Sequence, residues 1–141
     1  MTTRYALQTT AELKNLSQIR DFVEMAAKRL GFEPDLIPNV QLAVDEATTN
    51  VMLHGYQGQG GSLEVELERI GGDLVVRLRD EAPPFDPTTV PAPDFTLPLA
   101  KRPVGGLGIY LVRRAMDEVI HRVTAAGGNE LTLVKHDAAD G

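Results

Sequence analysis

Two alternating runs joined by a glycine pair restrict this chain more than any other feature. Residues 62–70 read SLEVELERI, with Leu63, Val65 and Leu67 on one side and the glutamates on the other. After Gly71-Gly72-Asp73, the residues Leu74, Val76 and Leu78 alternate again up to Asp80. A period of two sends successive side chains to opposite faces, so each run is a half-buried strand and the turn between them makes a β-hairpin. A sheet with one apolar face needs a second layer to cover it.

Helical periodicity supplies that layer. From Leu16 the residues Ile19, Val23, Ala26, Ala27 and Leu30 recur at intervals of three and four, with Gly31 placed to end a helix and Asn15 with Gln18 resembling a capping box at its start. A second helix is predicted from near Asp35, with Pro38 in its first turn, to about His54, with the stripe Val40, Ala43, Val44, Ala47 and Val51. A third starts at the turn Gly105-Gly106-Leu107-Gly108 and directs Leu107, Leu111, Ala115 and, if it runs that far, Val119 inward. Residues 4–9 form a short edge strand with Tyr5 and Leu7 on one face. Two closing strands, near 119–124 and 131–136, flank the turn 125–129, and 137–141 is expected to fray. The expected architecture is an α+β two-layer sandwich, helices on one face of a mixed, mainly antiparallel sheet.

Between Ala82 and Pro103 lie seven of the nine prolines and no sustained period, a composition that excludes helix and central strand. A loop of that length inside a compact domain is commonly a lid or binding loop, here about 82–104. The chain has 141 residues, a size that one domain fills, and with 43% hydrophobic and 24% charged residues its bulk is not disordered. A net charge of −6 argues against broad contact with nucleic acid. The absence of cysteine removes disulfides, thiolate metal sites and thiol nucleophiles. No run of about 18 apolar residues and no basic-then-apolar leader occurs, so neither a membrane span nor a standard export signal is expected.

Three places could carry chemistry. Glu46 and Asn50 lie about 40° apart around the second helix, bordering its apolar stripe. Such a pair can serve as general base and as a hard oxygen ligand for Mg²⁺, or simply form a solvated flank. Asp45 and Thr49 point away to solvent, and His54 falls on the stripe side as a boundary residue. Asp80 closes a strand and opens the proline-rich loop, where a carboxylate can accept from an exocyclic amine or initiate a turn. Asp86 repeats the turn chemistry before Pro87. The glycines at 105, 106 and 108 open a helix whose free N–H groups favour an anion, although they could merely let the loop turn sharply. Lys101 and Arg102, just upstream, suit a terminal phosphate or keep the loop soluble. No Lys-Ser/Thr follows the glycines, and Leu111 stands where G-x-G-x-x-G has its third glycine, so neither standard phosphate motif fits.

Taken together, DEATTNVMLHGY, LRDEAPPFDP and GGLGIYLVRRAMDEV resemble the Bergerat-fold ATPases, the group that includes gyrase and histidine-kinase ATP domains. Within that group they look like the anti-sigma-factor serine-protein kinases of bacteria, over about residues 4–136. The resemblance implies a single ATP-binding domain in which Glu46 is the general base, Asn50 holds Mg²⁺, and Asp80 binds the adenine amine. It implies that Gly106, Leu107 and Gly108, with Arg102 upstream, meet the phosphates. It further implies a cytoplasmic kinase that phosphorylates a serine on an anti-anti-sigma protein and binds a sigma factor when unopposed, with a homodimer allowed. Two departures stand out. Ala82 and Pro84 replace the glycines of the wider fold's D-x-G-x-G, and Asn129 replaces the small hydroxyl residue that usually follows the late glycine, near Gly128. The alternative is a module of the same fold that holds a partner protein with weak or no nucleotide binding.

Overall fold

In the computed structural model, which describes residues 2–91, 95–98 and 106–140, the hairpin forms as β2 (Ser62–Ile70) and β3 (Asp73–Asp80). Around it stand β1 (Arg4–Thr10), β4 (Glu118–Val123) and β5 (Asn129–Lys135), numbered here in chain order. The five strands run in the order β1-β2-β3-β5-β4, and every neighbouring pair is antiparallel, so the sheet is not mixed. The helices are α1 (Leu16–Arg29), α2 (Ile37–Asn50) and α3 (Gly106–Ala115). Their apolar stripes, among them Ile19, Val23, Val40 and Val44, close over Leu63, Val65, Leu74, Val76 and Leu133, all essentially fully buried in one core. Burying such side chains is worth roughly 1.5–3 kcal/mol each, and it holds the two layers together.

Several expectations give way to local physics. Asn15 makes no capping bond to α1; its amide instead donates to the Thr10 carbonyl (3.0 Å) and Thr10 Oγ1 (2.8 Å), while Gln18 accepts from Thr9 Oγ1. Both side chains tie the helix entry to β1. The helix 2 pattern ends as a π-turn, Val51–Gly55, in which the Tyr56 N–H reaches back to the Val51 carbonyl at 2.8 Å. That wider turn rotates His54 off the stripe and leaves it exposed. Asp45 is not free in solvent either: Arg20 of α1 binds it at 2.9 Å.

On α3 the buried residues are Ile109 and Val112, continued by Met116, while Leu107 is 50% exposed and Leu111 and Ala115 are half-buried. Val119 belongs to β4 and packs on the core edge. The sequence carries two apolar stripes here, and the one that turns inward is Ile109, Val112 and Met116, beside the close approach of Gly108 to α2.

The tail is fastened rather than frayed. Ala138 is fully buried, its N–H bonds the Gly72 carbonyl (2.8 Å), Glu33 N–H bonds the Ala138 carbonyl (2.9 Å), and Asp140 N–H bonds the Gly31 carbonyl (2.8 Å). On the helix-free face, Gln8, Glu64, Arg79, Glu130 and Arg122 stand directly opposite one another across all five strands. Arg79 bonds Glu130 (2.8 Å) and Glu64, and Arg77 joins Glu66 and Glu68 at 2.8 Å each. The glutamates of β2 are therefore not simply solvated: Glu66 is only 6% exposed. Burial alone would raise its carboxyl above the ordinary range, but Arg77 and Arg79 outweigh this and hold it below.

Candidate nucleotide site

The site lies where the C-terminal half of α2, the start of α3 and the ends of β3 and β5 converge. Glu46 and Asn50, one turn apart on α2, meet Gly108 of α3. A Cβ at residue 108 would sit 3.2 Å from Asn50 Oδ1 and 3.3 Å from Glu46 Oε2. The glycine thus brings a helix N-terminus against a carboxylate and an amide oxygen, a combination of oxygen donors and N–H groups suited to a phosphate with a hard cation. Among the described residues no three of His, Cys, Asp and Glu cluster as metal ligands; the oxygen donors beside Gly108 are Asn50 Oδ1 and Glu46 Oε2.

From Asn50 a cavity of about 50 Å³ runs to Asp80. Its walls are largely apolar, formed by Ala47, Val51, Gly55, Pro83, Phe85, Pro87 and Leu131, with Asn50, Asp80, His121 and Asn129 as polar points. A flat heterocycle matches that character: apolar faces for the ring and few polar groups for its edge. Asp80 is only 8% exposed, and burial pushes its carboxyl above the ordinary range against the opposing pull of the Asn129 amide, the Ala82 N–H and His121. Both hydrogen bonds to Asp80 fall on Oδ1, from Asn129 Nδ2 and Ala82 N, each at 2.9 Å.

The first departure from D-x-G-x-G, Ala82, is accommodated locally. Ala82 is buried and takes no left-handed backbone conformation, and its methyl packs where Gly55 leaves room, at 3.0 Å from a Cβ built on Gly55. Asp86 does cap a turn as its sequence suggests, accepting from Thr88 N (2.8 Å) and Thr88 Oγ1 (2.6 Å) at the 3₁₀ turn Pro87–Thr89. Beyond it, Arg113 of α3 bonds the Thr88 carbonyl, and Phe95 meets Tyr110 edge-on, ring centroids 5.2 Å apart. At Thr88 and Phe95 the proline-rich segment thus leans on α3.

Glu46, Asn50 and Gly108 come together, and the cavity joins Asn50 to Asp80. Gly106 opens α3 in chain order with them. Leu107 does not join the group, since it faces outward, and Lys101 and Arg102 lie outside the described residues. Three residues escaped a role in the sequence reading. Asn129 stood there only as a departure, yet it faces Asp80 in the β3–β5 register. His121 sits beside it, its side chain 7% exposed. Tyr56 donates its hydroxyl to the Ser62 carbonyl and accepts from Glu81 N–H, both at 2.7 Å, which fixes the chain just past Asp80. The inward alternation of His121 on a short strand was a usable signal; the phenol bridge of Tyr56 was not.

Residues 9–135 match the histidine kinase-like ATPase domain family. The chain is 27% identical over 117 residues to proteins named serine-protein kinase RsbW from Bacillus cereus (strain AH820) and Bacillus thuringiensis (strain Al Hakam), covering 80% of this chain and 73% of each relative. Its fold is similar to that of the RsbU and RsbW domains of Rv1364c from Mycobacterium tuberculosis, with a TM-score of 0.65 and 17% identity. That likeness covers 96% of this chain but 32% of the other, and it bears on the fold alone.

Proposed function

The chain belongs to the histidine kinase-like ATPase domain family, and from that premise we propose that it is an ATP-dependent protein-serine kinase acting as an anti-sigma factor. The observation that carries this reading is the close approach of Gly108 to Glu46 and Asn50 at one end of a cavity whose other end is Asp80. That arrangement suits a nucleotide laid between α2 and the sheet, adenine toward Asp80 and phosphates toward α3. The carboxylate oxygen of Asp80 is an acceptor for the exocyclic amine. The N–H groups at Gly106 and Gly108 would meet phosphate charge, and the motif resemblance adds Arg102, which lies outside the described residues.

Asn50 would hold Mg²⁺, which, with bound ATP, neutralises phosphate charge and makes the terminal phosphoryl transferable. Glu46 would take the proton of the substrate serine hydroxyl as that oxygen bonds the terminal phosphorus of ATP and the bond to the β-phosphate oxygen breaks, releasing ADP. The substrate in this reading is a serine on an anti-anti-sigma protein, and the protein held when that partner is phosphorylated is a sigma factor. The name of the Bacillus relatives supports the serine-kinase part, and the resemblance of the three motifs supports the partners. We assign the chain to one ATP-binding domain working in the cytoplasm. No helix among the described residues is long and apolar enough to cross a membrane.

The test separates chemistry from binding. Glu46→Gln keeps size and polarity but removes the base, so phosphorylation of a serine-bearing partner should fall by roughly 10²- to 10⁴-fold while Mg-ATP affinity changes little. Asn50→Ala should lower both, because it takes away a metal ligand. Phosphoryl transfer that survives Glu46→Gln removes Glu46 from the chemistry. A wild-type chain that shows no heat with millimolar Mg-ATP and phosphorylates no partner is instead a protein-binding module of the same fold.

A further inference from the structure

The polar cluster at the end of β3 and β5 contains more than a nucleotide contact. Asn129 is 8% exposed and bonded on every side. Its Nδ2 donates to Asp80 Oδ1 (2.9 Å) and to the carbonyls of Ala82 (3.2 Å) and Pro83 (3.3 Å). Its Oδ1 accepts from Phe85 N–H (3.0 Å) and lies 2.7 Å from His121 Nε2. The amide can take only one orientation: backbone carbonyls cannot donate, and the Phe85 N–H cannot accept. His121 must therefore carry its proton on Nε2 and donate it to Asn129, leaving Nδ1 toward Asp86, 3.9 Å away.

Gly128 shows how tightly this corner is built. A Cβ there would lie 2.9 Å from Glu81 Cα and 3.0 Å from the Asp80 carbonyl carbon, and closer still to the Asp80 oxygen. The backbone of β5 is thus pressed against that of Asp80, and residue 129 can reach both the carboxylate and the segment that follows it.

We infer that Asn129 is a positioning residue that keeps Asp80 an acceptor-only carboxylate and fastens the root of the proline-rich segment, through Phe85, to the same point. The inference rests on the nucleotide reading of the site and names what sets its base preference. An amide donor on Oδ1 stabilises the ionised carboxylate, and ionised Asp80 can accept from an amine but cannot donate to a carbonyl. Adenine presents an amine at the position where guanine presents a carbonyl. One side chain would then couple base choice to the seating of residues 82–87, with His121 holding that side chain upright. Among the described residues His121 on β4 acts on Asp80 directly, Asp86 lies beyond the imidazole, and Glu64, Arg79 and Glu81 line a second cavity with Asp80 toward the helix-free face.

Substituting aspartate tests this at constant shape. Asn129→Asp retains an acceptor for Phe85 N–H and for His121 but places an oxygen against Asp80 Oδ1. Carboxyl NMR of the nucleotide-free protein should show the Asp80 midpoint rising by about one pH unit or more, while the Phe85 amide keeps its slow hydrogen exchange. Asn129→Ala should raise the midpoint less and also release the Phe85 amide. It serves as well if the aspartate variant does not fold. In calorimetry at pH 7, both variants should lose at least about tenfold of the preference for Mg-ATP over Mg-GTP. An Asp80 midpoint unmoved in the variant that folds, or a Phe85 amide equally protected in Asn129→Ala, overturns the inference. A wild type that binds neither nucleotide, with both NMR effects present, sinks the nucleotide reading and leaves the tie between Asn129, Asp80 and Phe85 in place.

Discussion

Strand β3 begins with one aspartate and ends with another, and the two live under opposite conditions. Asp80, at the site end, is buried, receives its hydrogen bonds from the neutral groups Asn129 and Ala82, and has its carboxyl pushed above the ordinary range by desolvation. Asp73, at the far end, is open to water; His136 Nδ1 lies 3.1 Å from it, the Asp137 N–H donates to it at 3.2 Å, and its carboxyl is held below the ordinary range. Under the proposed function the strand uses one carboxylate as a tool and the other as a fastener. A charge that stabilises the fold is placed where a cation and water can reach it. Under the proposed nucleotide reading, the charge that meets the ligand is left desolvated, with one oxygen unengaged by any hydrogen bond found among the described residues.

The largest effect expected at the site end comes from its glycines, which differ in what they touch. At Gly128 an added methyl meets the backbone of Asp80 and Glu81, which cannot move without breaking the β3–β5 register. Gly128→Ala should destabilise by about 3 kcal/mol or more, lowering Tm by roughly 10 °C. At Gly108 the neighbours are the ends of the Asn50 and Glu46 side chains, which can yield by a few tenths of an ångström. Gly108→Ala should keep near-wild-type Tm, aided by the better helix propensity of alanine, yet lose roughly tenfold in Mg-ATP affinity. Thermal melts and calorimetry on the pair decide the matter; equal losses of stability would erase the distinction drawn here.

Asp80→Asn sharpens the contrast between the two aspartates. Its carboxyl titrates higher in the folded chain than in the unfolded one, so across that interval the folded state binds more protons. Stability therefore falls as pH climbs from the ordinary carboxylate value through the raised one, and stays lowered above it. The amide abolishes this slope and can still accept from Asn129 and Ala82 through its oxygen. Tm at pH 7 should rise slightly, on the order of 1–2 °C, while adenine nucleotides lose affinity more than guanine nucleotides do. A variant that loses stability at neutral pH would show that the Asp80 charge supports the fold after all.

What could be read in advance divides along similar lines. Strands and helices with strong periods, such as SLEVELERI and the Ile19–Val23–Ala26 stripe, declare themselves because burial and period are written in the same residues. Glu46, Asn50 and Asp80 stand out in the sequence only through the joint resemblance of their motifs to one nucleotide site, since alone the first two also fit a solvated flank and the third a turn. Asn129 does not, because its role depends on which residue stands opposite across two strands far apart in sequence. The outward turn of Leu107 was hidden for a related reason: α3 offers two apolar faces, and which of them is buried depends on its packing against α2 and the sheet. The tail looked free because its anchors are backbone groups of Gly31 and Gly72, which leave no trace in side-chain pattern.

The smallest effect belongs to the far end, and its value lies in its shape. His136 sits between Asp73 (3.1 Å to Nδ1) and Glu118 (2.8 Å to Nε2), so it clasps the start of β3 to the start of β4. The hydrogen bond to Asp73, with help from Glu118, raises the imidazole above its ordinary value, while the imidazole and the Asp137 N–H lower Asp73. The histidine contribution is full below its unfolded value and is lost as pH rises through the raised folded one. The aspartate contribution is full above its unfolded value and is lost as pH falls through the lowered folded one. Both are complete only between the unfolded values, about 3.9 for Asp and about 6.5 for His. His136→Ala should therefore lower Tm most between about pH 4 and 6.5, with the gap narrowing on either side and shrinking in high salt, since the groups are exposed and screened. A gap that does not vary from pH 4 to 9 would mean that His136 acts here by packing, and that the far aspartate is no more a fastener than the near one.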